Sequence, residues 1–215
     1  MPEAQLISIN VGKVQTYDND WTTAFYKYPV DSAVKVSQLC VEGDEQHHKK
    51  YHGGSFRPIL AYCAEHYPKW REELSVDFPY GGFAENFTIS GLDENNVCLG
   101  DIFQVGDTLK IQVSQPRLPC DQISMRWNMP DLTKLVKKSG RTGWYMSVLE
   151  EGVAEASMTL KLLERPYPEW TITVGHEIYQ KRSRIPEQAL ALSGCEALEI
   201  GWRNRLKRAA DKALS

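Results

Sequence analysis

Residues 100–120 read GDIFQVGDTLKIQVSQPRLPC. Two short alternating runs, DIFQV and TLKIQVS, flank the turn pair Gly106-Asp107, which is the pattern of a β-hairpin. Leu109, Ile111 and Val113 fall on one face of the second run, with the period of two that marks a half-buried strand. A regular strand is not expected to continue past Ser114, because Pro116 and Pro119 lack the backbone N–H that a ladder needs. The stretch should therefore end in a stiff turn carrying one guanidinium, Arg117, and one thiol, Cys120.

The same reading extends in both directions. LISINVG alternates Ile7, Ile9 and Val11 on one face, and TAFYKY, AVKVSQL and NFTIS are further short strand candidates. After the turn, GWYMSVLE and ASMTLKLLER read as a pair of strands. Many short strands punctuated by Gly, Pro and Asp favour a barrel or a sandwich. Two helices are expected within this β-rich set. RPILAYCAEHYPKWREEL has Pro58 at its start, where a missing N–H is harmless, and Ile59, Tyr62, Cys63 and His66 at helical spacing, with a bend expected at Pro68. PDLTKLVKKSG should place Leu132, Leu135 and Val136 inward and stop at Gly140.

Composition shifts at RPYPEWT, residues 165–171, a semi-rigid linker. Three helical segments follow, at about 173–182, 186–193 and 196–214. In the last, Leu198, Trp202, Leu206 and Ala210 form an apolar stripe, while Arg203, Arg205, Lys207 and Arg208 give a basic face that is either solvated or a docking surface. The expected organisation is a mainly β domain over 1–171 and a small helical domain over 172–215.

A length of 215 residues suits one large domain with a small appendage. The formal net charge of −3 argues against a nucleic-acid polymer as partner. No apolar run approaches the roughly 20 residues of a membrane span, and MPEAQLISINVG has no secretion-signal pattern. The five scattered cysteines, Cys40, Cys63, Cys98, Cys120 and Cys195, fit reduced thiols in a cytoplasm.

Several residues could carry chemistry. The Cys120 thiolate is a candidate nucleophile or soft-metal ligand, with Arg117 beside it to favour the thiolate or hold an anion; an incidental cysteine is the competing reading. In KKYHGGSFRPIL, Gly53 and Gly54 could bring backbone N–H groups to a phosphate, flanked by His52 and Arg57, or form an ordinary turn. No Walker-type Gly-Lys-Ser/Thr follows, so a P-loop is excluded. His47, His48 and His52 lack the spacing of a zinc site. Glu42, Asp44 and Glu45 read as acid–base candidates or, more simply, a polar turn. Gly81 and Gly82 allow a close approach, and Glu85 and Asn86 follow them, Asn86 offering both donor and acceptor to a heterocycle. Lys27 beside Pro29 is by itself a surface lysine.

In order, the fragments KYPV, VEGDEQ, HGG, EHYPKW, GGFAENFTISGL, VCLGDIFQVGDTLKIQVSQPRLPC, GWYMSVLEEG and RPYPEWT resemble the MOSC-domain family, in its YiiM-like group. The likeness runs from about residue 5 to 171. It implies a MOSC-type β-barrel followed by a small C-terminal three-helix domain, here 172–215. It also implies a molybdenum cofactor, a pterin dithiolene with a phosphate, and reduction of small N-hydroxylated substrates to amines by electrons from a separate reductase. The cysteine closing Gln115-Pro116-Arg117-Leu118-Pro119-Cys120 is then the implied molybdenum ligand. Lys27, His52, Asn86 and Arg117 are implied around the cofactor, with Gly53 and Gly54 supplying backbone donors. A soft metal suits a thiolate, and a stiff turn would hold it with little entropy left to lose. Three positions depart from the family pattern: His47-His48 stand where Ala-Asp is frequent, Gln122 where a lysine is frequent, and Cys40 where a glycine is frequent. Sulfur transfer through a Cys120 persulfide, and non-catalytic carriage of the cofactor, are the alternative readings of the same residues.

Overall fold

The computed structural model describes residues 4–17, 20–47 and 54–215. The first strand, β1 (Ala4–Val11), buries Ala4, Leu6 and Ile9. Its partner β7 (Phe87–Ser90) runs antiparallel to it, with an irregularity between Leu6 and Ser8. At its start β1 also pairs with β12 (Thr159–Glu164), Ala4 opposite Leu160 and Gln5 opposite Thr159. The circuit continues from β12 through β8 (Ile102–Val105), β9 (Leu109–Pro116), β10 (Trp144–Glu150) and β6 (Ile59–Cys63) back to β7. Seven strands thus close a barrel, and closure leaves no sheet edge exposed. A short β4 (Tyr28–Pro29) adds to the far end of β1. Two small ribbons, β2 (Gln15–Tyr17) with β3 (Trp21–Thr23) and β5 (Val34–Val36) with β11 (Gly152–Ala154), stand outside the circuit.

The hairpin expected around Gly106-Asp107 is present as β8 and β9, paired from Val105↔Leu109 to Ile102↔Gln112. Leu109, Ile111 and Val113 are fully buried in the barrel interior. The strand runs further than expected: Gln115 and Pro116 still pair with Tyr145 and Trp144 of β10. GWYMSVLE and ASMTLKLLER are both strands, but they are not each other's partners; β10 lies between β9 and β6, and β12 between β8 and β1.

Two segments correct the sequence reading. TAFYKY is no single strand, since only Thr23 (in β3) and Tyr28 (in β4) are extended ladder residues. The second, Ile59–Cys63, is a strand, not the first turns of a helix. All five residues are buried. Ile59 and Ala61 join the barrel core, while Tyr62 joins a second cluster with Tyr67, Trp70, Phe78 and Phe83. A strand covered on both faces loses its polar alternation, so its apolar run cannot be told from a helix by period. The helix begins only at α1 (His66–Leu74). Pro68 is its third residue, where no intrahelical N–H is lost, so no bend arises. Strands β6 and β7 run parallel in this circuit, and a parallel pair needs a crossover; α1 lies in that connection.

Two helices follow the hairpin, α2 (Gln122–Trp127) and α3 (Leu132–Ser139). Leu132 and Val136 face inward as expected, and Gly140 caps α3 at φ 75°. Leu135 is instead 38% exposed; Thr133 takes the inward position and bonds the Ser124 hydroxyl at 2.9 Å. The last three helices are α4 (Ile172–Lys181), α5 (Pro186–Ser193) and α6 (Ile200–Leu214). Leu198, Trp202, Leu206 and Ala210 are all buried and belong to the same hydrophobic cluster as the barrel interior. Trp202 stacks on Tyr179 with ring centroids 3.8 Å apart. The linker is clasped by Arg165, whose guanidinium meets the buried Asp101 carboxylate at 2.8 and 2.7 Å. No described helix is long and apolar enough to cross a membrane.

Trp202→Ala should cost about 3–5 kcal/mol, the usual loss for a buried aromatic. Urea unfolding followed by far-ultraviolet circular dichroism measures it.

Candidate functional site

The proline-ended strand sets one wall of a cavity at the barrel end. Arg117, the first residue after β9, is held through its backbone N–H by the Gly143 carbonyl at 3.1 Å and is itself buried. Cys120 follows immediately before α2. Its carbonyl accepts the Ile123 N–H and the Thr133 hydroxyl, both at 3.2 Å, which anchors the thiol's backbone to α2 and α3. Arg117, Leu118 and Cys120 line one cavity with Lys27, Asp44, Arg57, Leu60, Asn86, Gln122 and Tyr145. Thr23, Ala24, Phe25, Glu45, Gln46, His47 and Ala84 complete the lining.

Lys27, Asn86, Arg117 and Cys120, dispersed over almost 100 residues of chain, therefore converge on this one space. Gly54 does not line it; it is exposed at φ 96° and open around its α-carbon. His52 and Gly53 lie outside the described residues, as does His48. Of the divergent positions, His47 and Gln122 line the cavity, whereas Cys40 is exposed elsewhere. The Thr23 hydroxyl donates to Gln122 Oε1 at 2.6 Å and fixes that side chain at the wall.

Charge in the cavity is nearly all spoken for. The Lys27 ammonium is ion-paired with Asp44, both side chains under 10% exposed. Burial pushes the Lys27 pKa below its ordinary value, against the opposing pull of Asp44. Asp44 Oδ1 also accepts the Gly12 N–H at 2.9 Å, and its Oδ2 accepts from Asn86 Nδ2 at 2.9 Å. Asn86 is wired further: its Oδ1 accepts the Leu60 N–H at 3.1 Å, and Nδ2 reaches the Asn10 carbonyl at 3.3 Å. Arg57 bonds Gln115 Oε1 through Nε at 3.3 Å and meets the Glu199 carboxylate at 3.4 Å. Arg117 differs. Among the described residues no carboxylate pairs with it, and its Nη1 is buried without a hydrogen-bond partner. A buried guanidinium left so is costly, and its natural complement is an anion.

The remaining groups sort by surroundings. Cys120 is the one cysteine of five that lines the cavity. Burial pushes the thiols of Cys63, Cys98 and Cys195 up, which suppresses the reactive thiolate. Burial also raises the Tyr145 hydroxyl, with Arg117 and Arg57 pulling it back. Glu85 is absent from the lining; its buried carboxylate accepts from Gly81 N–H, Phe83 N–H and the Thr88 hydroxyl at 2.7, 3.2 and 2.8 Å, stapling that loop. Gly81 does allow a close approach, but of the protein's own backbone: a β-carbon there would stand 2.7 Å from the Lys27 carbonyl oxygen.

Asp44 is an acid–base candidate whose partner the sequence does not show, and Tyr145 is not singled out by the sequence at all. Asp44 sits in what reads as a polar turn, and only the buried Lys27 across from it makes it a cavity residue. Tyr145 could have been found from alternation, since Trp144 and Met146 are the core-facing members of β10.

The family model described as "MOSC domain" matches residues 48–179. The chain belongs to the MOSC domain family. Protein YiiM of Escherichia coli is 38% identical over 162 residues, covering 74% of this chain and 72% of that protein. A protein named "Reductase" in Gibberella moniliformis is 34% identical over 183 residues, 83% of this chain but only 32% of that longer protein. The crystal structure of YiiM from Geobacillus stearothermophilus superposes with a TM-score of 0.83 at 34% identity, covering 96% of this chain and 99% of that one. The seven-stranded barrel with C-terminal helices is thus the YiiM fold.

Removing the Asp44 carboxylate leaves a buried ammonium without its counter-charge. Asp44→Ala should therefore cost about 3–5 kcal/mol, read from the midpoint of chemical denaturation.

Proposed function

We propose that this MOSC protein is a molybdenum-cofactor oxidoreductase that reduces N-hydroxylated compounds to amines. The observation that carries the proposal is the buried Arg117 guanidinium, answered by no carboxylate among the described residues and with its Nη1 unbonded, on the cavity that also holds the Cys120 thiol. A pterin dithiolene with a phosphate needs both: a soft ligand for its metal and a cation for its anionic end. The donor set fits such a group. Cys120 would ligate molybdenum, Arg117 and Arg57 would meet the phosphate, and Asn86 would keep the floor rigid. Lys27 contributes from the cavity wall, its ammonium already engaged by Asp44.

The chemistry supplied by the bound cofactor is two-electron removal of oxygen from an N–O bond. Overall, a hydroxylamine, two electrons and two protons become an amine and one water. The chain's share is positional. Pro116 and Pro119 stiffen the backbone that presents the Cys120 Sγ, so little freedom is lost on ligation. Lys27 Nζ holds a proton at the cavity floor beside Asp44. Electrons come from a separate reductase. Support for a redox role also comes from the printed name of the Gibberella relative.

The test uses protein produced in a host that makes the cofactor, assayed with a chemical reductant and an N-hydroxylated base. Cys120→Ala should retain the fold, lose most of the bound molybdenum and lose turnover by at least about a hundredfold, as ligand and supporting-shell losses typically do. Full molybdenum content and full turnover in that variant would sink the assignment. Sulfane sulfur on Cys120 without stoichiometric molybdenum would point instead to sulfur transfer.

A further inference from the structure

Arg57 lies on the cavity wall, yet one of its anchors comes from the far end of the chain. Glu199 precedes α6 and caps it, its Oε2 accepting the Trp202 N–H at 3.0 Å. The same oxygen meets Arg57 Nη2 at 3.4 Å, with the two side chains only 17% and 16% exposed. The backbone ties the group together as well. Glu199 N–H donates to the Ser114 carbonyl at 3.2 Å, and the Ser114 hydroxyl donates to the Phe56 carbonyl at 2.5 Å. Gln115, the next residue of the motif strand, accepts from Arg57 Nε. Residues 56–57, the end of β9 and the start of α6 thus form one knot behind the cavity wall.

From this geometry we infer that Glu199 is a positioning residue for the cavity: it aims Arg57 and acts as the internal counter-anion that sets how tightly the cavity holds a phosphate-type ligand. The inference rests on the proposed reading of Arg117 and Arg57 as anion-binding groups. Two effects of Glu199 oppose each other. Its hydrogen bond restrains Arg57, while its negative charge lowers the positive potential that an incoming anion meets. Glu199→Gln separates them. The amide oxygen still accepts from Trp202 N–H and from Arg57, but the charge is gone. Across the several ångströms between Glu199 and a ligand on Arg57, removing one like charge should tighten anion binding on the order of three- to tenfold.

The experiment measures melting temperature of the full chain against inorganic phosphate, at constant ionic strength, for the natural protein, Glu199→Gln, Arg57→Ala and the double variant. A ligand that binds only the folded state raises the melting temperature in proportion to its occupancy, so the curves give relative dissociation constants. The expected result is phosphate stabilisation in the natural protein and a three- to tenfold lower apparent dissociation constant in Glu199→Gln. A mere helix cap would leave the phosphate dissociation constant of Glu199→Gln unchanged, whereas action through Arg57 predicts the gain in the single variant and little further gain in the Arg57→Ala background. Equal or weaker phosphate binding in Glu199→Gln overturns the inference while leaving the anion-binding reading intact. No phosphate response in the natural protein overturns that reading, and the inference falls with it. Glu199→Ala serves as the fold control: it loses the cap, and its phosphate-free melting temperature should fall below that of Glu199→Gln.

Discussion

The pairing of Ala4 with Leu160 and Gln5 with Thr159 makes everything else in the molecule possible. Those contacts join the first strand to the last and turn an open sheet into a closed barrel. Once closed, the interior is a fixed volume, and the fully buried Leu6, Ile9, Ile59, Ile111, Val113 and Trp144 fill it. Polar groups cannot enter that volume without partners, so those brought together by the fold gather at the barrel end, where loops from five parts of the chain meet. The cavity is a consequence of closure as much as of its own residues.

Its electrostatics follow one rule, that buried charge is matched. Lys27 is answered by Asp44, and Arg57 by Glu199. Arg117 breaks the rule among the described residues. The pairing also divides labour between distant segments. The carboxylate for Lys27 comes from the loop after β5, and that for Arg57 from the start of α6. The C-terminal helices are therefore part of the wall supporting the cavity, as well as a cover for the barrel.

Much of the fold was legible wherever a strand kept one wet face. β8 and the first half of β9 alternate cleanly, and the C-terminal helices show a stripe at Trp202, Leu206 and Ala210 with Pro186 at a helix start. In β1 the irregularity between Leu6 and Ser8 puts Leu6 with Ile9 in the core in place of the expected Ile7. β6 was not legible, because Tyr62 packs under α1 while Ile59 and Ala61 face the barrel, and two-sided burial erases the period. In the site, Cys120 and Arg117 stood out through their stiff proline frame. Asp44 was marked as an acid–base candidate, but its pairing was not legible, and Glu199 was not marked at all, since a carboxylate in a turn or before a helix looks like solvated surface until the cation opposite it is known. Such pairs are made by tertiary contact between residues 17 and 142 positions apart, a distance over which local pattern carries no signal. Glu85, next to Asn86 in the sequence, serves as a loop staple instead of lining the cavity.

The Arg117 guanidinium, unmatched among the described residues, also bears on the durability of the fold. A buried cation without a counter-charge is a standing cost to the folded protein in the absence of a ligand. Substitutions that neutralised it would make that protein hardier, so selection for robustness alone would remove it. Its place in the wall sets a working site against a comfortable fold, the familiar compromise between function and intrinsic durability.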